Sequence, residues 1–243
     1  MLGRLQRGIE ELYRVETGAD VGDFMIDGRA RDAVSAHGSR RPREQLLVCE
    51  ADGEMSLALF IDPSALANLA AHDPSRRLGD HNLGDFLLAI EGVSHFIYAV
   101  CCARAERPVS QLELELQAEV DKYVTCLLVT SPEMSRTLRT RLFGDPHYDD
   151  DLDRDERDRY TAANDNALRY ATYLETEFVA RRRITEMLAE LRRFYRLGLA
   201  AKLSTIASAA RGTLQGVAST IATVVPRARP RRIVVPGGAC SWL

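Results

Sequence analysis

A chain of 243 residues with 46% hydrophobic content has material for one large core, or for a domain plus an extension, and 7% aromatics argues against a β-sandwich. The net charge of −3 conceals a split: from Val179 onward twelve basic residues stand against two acids, net +10, which leaves −13 for residues 1–178. That polarity points to an anionic partner for the C-terminal part, or to its docking on the acidic body; it names no reaction.

The first residues lack the apolar core of a secretory signal, and no window of about twenty apolar residues is read as a membrane span. Five cysteines (Cys49, Cys101, Cys102, Cys126 and Cys240) form no C-x-x-C pair, so reduced thiols in a cytoplasmic protein are expected and no metal framework is read from them. Lys122 and Lys202 are the only lysines among 32 basic residues; the Arg excess is put down to a GC-rich coding sequence.

In chain order, Leu5, Ile9, Leu12 and Tyr13 mark a short helix, Asp23–Asp27 reads as a strand, and Ser35–Arg43 as a loop. A β-hairpin follows at about 45–61, with Gln45–Glu50 and Met55–Ile61 joined through Asp52-Gly53. Asp62-Pro63 is an N-cap with proline at the first helical position, opening a helix through Ala71. Leu83–Ala105 is helical by period and is broken at Arg107-Pro108. The next segment alternates like a strand, but the Ser110–Glu113 capping box and the spacing of Leu112, Leu116, Val120, Tyr123 and Leu127 favour a helix to Val129. A helical hairpin at about 83–129 is therefore expected at the centre of the core.

Ser131-Pro132-Glu133 starts another helix, and Asp145–Asp158, with eight acids in fourteen residues, reads as a solvated loop. One helical pattern runs from Tyr160 to about Arg196 and a second from Leu197 to Val225, with a kink at Gly198. The Pro-, Gly- and Arg-rich end is too poor in apolar periodicity to pack. The expected class is mainly α (α+β), a bundle-like core with one small β-hairpin and long C-terminal helices. Its organisation is an acidic globular domain 1–178, a basic then amphipathic helical extension 179–225, and a disordered basic tail 226–243.

Alternating Asp149, Asp151, Asp153 and Asp155 suggest a calcium loop, but neither register supplies the glycine and the distal glutamate that such a loop needs. The most site-like cluster lies on the first hairpin helix, where Glu91, His95, Tyr98 and Cys102 project within about 60° of one another. Glu115, Glu119 and Lys122 form a facing stripe. Glu91 and His95 could ligate a metal, or the four residues Glu91, His95, Glu115 and Glu119 could do acid–base work. The bland alternative is a polar seam with Glu119–Lys122 as an ordinary i, i+3 pair. Glu-x-x-x-His is not the Glu-x-x-His of di-iron bundles, and no G-x-G-x-x-G, G-x-x-x-x-G-K, G-x-S-x-G or H-E-x-x-H occurs. No cofactor is assigned.

Taken as one helix, the C-terminal part gathers Arg181, Arg192 and Arg196 within about 60°, with Arg182 and Arg193 continuing the face. The following segment carries an apolar face of Leu199, Leu203, Ile206, Leu214, Val217 and Ile221 opposite a small polar side on which only Lys202 and Arg211 are charged. Cys240-Ser-Trp-Leu243 has the outline of a prenylation tail, but Trp242 is not aliphatic and the composition looks bacterial, so it is read as coincidence. The leading expectation is a non-enzymatic cytoplasmic interaction or regulatory protein, peripheral on the inner membrane face in one form. It would contact a partner protein, a second copy or an anionic membrane through residues 179–225, or dock them on its own acidic body. The alternatives are a metal-dependent or acid–base enzyme on the central hairpin and nucleic-acid binding by the Arg face.

Overall fold

The structure, a computed structural model, describes residues 1–34, 41–51, 54–146, 148 and 151–215. Its first elements are α1 (Leu2–Tyr13), a 3-10 turn (Val21–Phe24), α2 (Gly28–Val34), and the antiparallel pair β1 (Glu44–Ala51) and β2 (Glu54–Ile61). Then come α3 (Pro63–Ala71), α4 (Leu83–Arg104), α5 (Gln111–Val129), a 3-10 turn (Pro132–Met134) and α6 (Ser135–Phe143). The last are α7 (Arg154–Leu174), a π-turn (Glu175–Val179), α8 (Ile184–Tyr195) and α9 (Leu199–Gln215). The fold is mainly helical with one small β-hairpin, as composition and periodicity predict.

Local signals explain most boundaries. Asp62 accepts from the Ser64 amide with Pro63 at the first helical position, and Ser110 accepts from the Glu113 amide, which settles the ambiguous stretch as helix. α4 and α5 pack together at the centre; α1, α3 and both strands lie on α4, while α6 and α7 lie on α5. Being covered on several sides makes α4 apolar nearly all round. Contrary to the sequence expectation, it is long and apolar enough to cross a membrane by length and composition, with mean hydropathy 1.8, yet 67% of that window is buried inside the fold.

Three further expectations are corrected. Asp23–Asp27 is not a strand: a 3-10 turn capped by Asp20 leads to a single bridge from Met25 to Leu59. The acidic run is not all loop, because Asp153 and Glu156 form a reciprocal capping box that starts α7. The helix expected from 160 to 196 is interrupted: Ala180 N–H bonds Glu175 O across five residues, and Arg182 turns left-handed at φ 56°. Arg139 and Ser135 both donate to Glu175 at this break, so α6 holds it in place. The predicted kink at Gly198 separates α8 from α9.

Met187, Leu191, Phe194, Tyr195 and Ile206 share the core formed by α1, α4 and α5. Lys202, placed by sequence on the polar side of its helix, is instead fully buried. Its ammonium donates to Gln117 Oε1 and lies 4.3 Å from the Tyr98 ring centre and 5.0 Å from that of Phe194. Gln117 in turn donates to Asp121, which also accepts from Tyr13 and Ser94. Each member of this buried network thereby finds a partner.

Candidate metal centre

β1 reaches the middle of α4 because α4 carries a glycine there. A Cβ on Gly92 would stand 3.1 Å from Glu44 Cγ and 3.1 Å from Leu59 Cδ1, closer than a side chain comfortably allows. This approach seats Glu44 beside His95, one turn along α4. His95 Nδ1 lies 3.6 Å from Glu44 Oε1 and His95 Nε2 lies 3.6 Å from Glu115 Oε2 on α5. At that separation both are ion-pair contacts, too long for hydrogen bonds. One turn further out, Lys122 bridges Glu91 at 2.9 Å and Glu119 at 2.7 Å.

The electrostatics follow from burial. Glu44 and His95 are 9% and 7% exposed. Burial pulls His95 down, but Glu115 and Glu44 outweigh it and hold the imidazole well above its ordinary value. Burial raises Glu44, and the neighbouring Glu91 and Glu115 add to the shift against the His95 contact. Burial likewise raises Glu119, against the pull of Lys122, whose own ammonium the two carboxylates hold above its usual range despite burial. Fully ionised, four carboxylates outweigh Lys122 and a protonated His95 by two charges.

Two observations set this cluster apart from a satisfied seam. First, it forms the wall of a cleft of about 530 Å³ between β1, α4, α5 and the start of α7, a size suited to a small molecule. Second, several buried polar atoms lining that cleft have no hydrogen-bond partner among the described residues: Glu44 Oε1, Gln45 Oε1, His95 Nε2 and Arg159 Nε. Buried polar atoms are nearly always paired, and leaving one unpaired costs about 1–3 kcal/mol. Ligand atoms of Glu91, His95 and Glu115 all lie within 4.8 Å of one another, the one such metal-competent group among the described residues.

The structure thus brings together Glu91, His95, Glu115, Glu119 and Lys122 as their helical spacing predicts. Tyr98 and Cys102 leave the stripe. Tyr98 bonds Glu113, and both Tyr98 and Cys102 accept from Arg107, on the side of α4 where Lys202 is buried. Glu44, Gln45 and Arg159 were not found from sequence, although a glycine in mid-helix directly after Glu91 is a signal for close backbone approach.

The five arginines expected to meet an anionic surface do not share one face. Arg181 and Arg182 sit in the turn before α8, while Arg192, Arg193 and Arg196 sit at its end. Arg192 donates to Leu12 O, and Arg196 donates to Tyr13 O and Arg14 O, so both serve the C-terminal carbonyls of α1. Arg181 and Arg193 pair with Glu177 and Glu190. Of the expected apolar face, Ile206 is buried and Leu199 and Leu203 are half-buried. The Leu214 side chain, Val217, Ile221 and the 226–243 tail lie outside the described residues.

No family model, no curated protein and no solved structure matches this chain, and its site is therefore defined by its own geometry.

Proposed function

We propose that the chain is a divalent-metal protein, and a metal-dependent enzyme acting on a small molecule, with the ion held by Glu91, His95 and Glu115 at the wall of the cleft. The observation that carries this is the setting of His95. One ring nitrogen faces a carboxylate from β1 while the other, buried and unpartnered, faces Glu115. A metal-binding histidine characteristically gives its second nitrogen to a carboxylate, which fixes the ring and strengthens the ligand. Glu44 has that supporting role. Lys122 fixes Glu91 and Glu119 alongside.

Carboxylate and imidazole donors suit a first-row divalent ion such as Mn²⁺, Fe²⁺ or Zn²⁺. Three protein ligands leave a coordination position for water or substrate, the arrangement of a catalytic rather than a structural site. An ion in place of the His95 proton also brings the cluster nearer to neutrality. When bound, it would polarise a substrate oxygen or activate water. The chain's own groups would orient the substrate against it: Gln45 offers a buried acceptor, and Glu119 lies beside the cluster with its carboxyl raised by burial.

Calorimetric titration of metal-stripped protein with Mn²⁺ tests this. One saturable site is expected, weakened at least about a hundredfold in His95→Ala and Glu115→Gln, and about ten- to a hundredfold in Glu44→Gln. Absence of a saturable site, or unchanged affinity in both ligand variants with native circular dichroism, contradicts the assignment.

A second reading, contact with an acidic partner or anionic membrane, is supported by the exposure of Arg181, Arg182 and Arg193 together with the positive charge from Val179 onward. Co-sedimentation with anionic vesicles, lost in the triple Ala variant, checks it.

A further inference from the structure

The same cleft carries one cation, Arg159, that no described residue pairs. Its lining includes three basic side chains, Arg43, Lys122 and Arg159. Arg43 is taken by Asp62 and Asp85, and Lys122 by Glu91 and Glu119. Arg159, on the first turns of α7, has no ion pair or hydrogen bond among the described residues. Its Nε is shut off from solvent with no partner among them. What it does have is the face of Tyr160, 5.5 Å below the guanidinium carbon. Tyr148 and Tyr160 stack beside it, centroids 6.4 Å apart and 26° from parallel.

Acidic groups are plentiful here, so an unpaired arginine in this cleft is the informative residue. A guanidinium whose Nε is already desolvated gains by meeting an anion with two parallel N–H bonds, and its planar fork matches carboxylate and phosphoryl oxygens. An aromatic floor holds the fork flat and offers a surface for the body of a ligand. A site that combines a divalent ion with one free arginine is suited to a substrate carrying a negative group at one end and a metal-seeking oxygen at the other.

We infer that Arg159 is the substrate-binding residue of this cleft and that the ligand is a small anion, bearing a phosphoryl or carboxylate group that the guanidinium grips bidentately. This rests on the cleft being the functional site; it does not require that the metal assignment be right, since Arg159 is not one of the proposed ligands.

The probes are inorganic phosphate and acetate, titrated calorimetrically into Mn²⁺-loaded and metal-stripped full-length protein, wild type, Arg159→Gln and Arg159→Lys. Arg159 is half-exposed and leaves the apolar core untouched, so both variants are expected to fold, with native circular dichroism and an unchanged urea midpoint as the check. Wild type is expected to bind at least one anion saturably, Arg159→Gln about tenfold or more weakly, and Arg159→Lys in between, because a point charge cannot replace the fork. Preference for phosphate identifies a phosphoryl ligand, and preference for acetate a carboxylate one. Binding that depends on Arg159 in protein that takes no Mn²⁺ supports this inference and removes the metal reading. Anion binding equal in wild type and Arg159→Gln overturns it. So does the failure of wild type to bind either anion, the result expected if acids of the chain's own 145–158 run satisfy the guanidinium.

Discussion

Lys202 offers a prediction whose size can be worked out. Burial lowers its ammonium from 10.5 to about 7, only partly countered by the charges of Glu113 and Asp121, while Arg107 lowers it further. Tyr98, Tyr195 and Cys102 also face it, all raised by burial and so essentially neutral between pH 7.5 and 9.5. Because the folded value lies below the unfolded one, the unfolded chain binds the extra proton between about pH 7 and 10.5, and stability must rise with pH across that window. At about 1.4 kcal/mol per pH unit, the full interval corresponds to about 5 kcal/mol withheld at and below pH 7. Lys202→Met keeps the length, removes the titration, and leaves Gln117 Oε1 without a donor at a cost of about 1–3 kcal/mol. Urea unfolding of both proteins from pH 7.5 to 9.5 should show wild type gaining about 2–3 kcal/mol relative to the variant, with the variant at least as stable at pH 7. Parallel stability curves would refute a Lys202 whose amine is lowered by burial in the core and, with it, the docking of α9 through that residue. The wild-type lysine should also resist amine-reactive labelling while α9 stays docked.

Gly92→Ala should improve α4 by about 1 kcal/mol in propensity yet displace Glu44, so Mn²⁺ affinity should fall about tenfold or more with little net change in urea midpoint; wild-type affinity would show that the close approach of β1 is incidental. Arg192→Ala with Arg196→Ala removes the side-chain hydrogen bonds to the last carbonyls of α1 and should cost about 1–2 kcal/mol of stability, read by denaturant titration. An unchanged midpoint would release both arginines for an external partner.

How much of this was legible in the sequence depended on how local the cause was. The paired strands, the capped starts of α3 and α5 and the central helical hairpin rest on caps and periodicity within a few positions, and these are present in the fold; the predicted Asp52-Gly53 turn lies outside the described residues. The alignment of Glu91 and His95 with Glu115 and Glu119 was also readable, since packing the apolar faces of two helices together brings the polar stripes that flank those faces side by side. Glu44 was not, because it arrives through the packing of β1 over Gly92, a contact distant in sequence. Tyr98 and Cys102 lie within the same wheel sector as His95, yet α4 is enclosed on several sides and a difference of some tens of degrees places them in a different network. The π-turn after Leu174 has no Gly or Pro to announce it; contacts from α6 to Glu175 hold it. Lysine usage was the overlooked clue. In a chain that covers its surface with arginine, the two lysines occupy interior polar networks, Lys122 with its side chain 12% exposed and Lys202 fully buried.

The claim on which the functional reading turns is that His95 Nε2 binds a divalent ion beside Glu91 and Glu115. Electron spin-echo modulation of the Mn²⁺-loaded protein measures this directly, since a coordinated imidazole nitrogen couples to the metal's electron spin. One histidine nitrogen coupling is predicted in wild type, persisting in Arg159→Gln and absent in His95→Ala. A bound Mn²⁺ without nitrogen coupling, or a coupling that survives the loss of His95, would contradict the account.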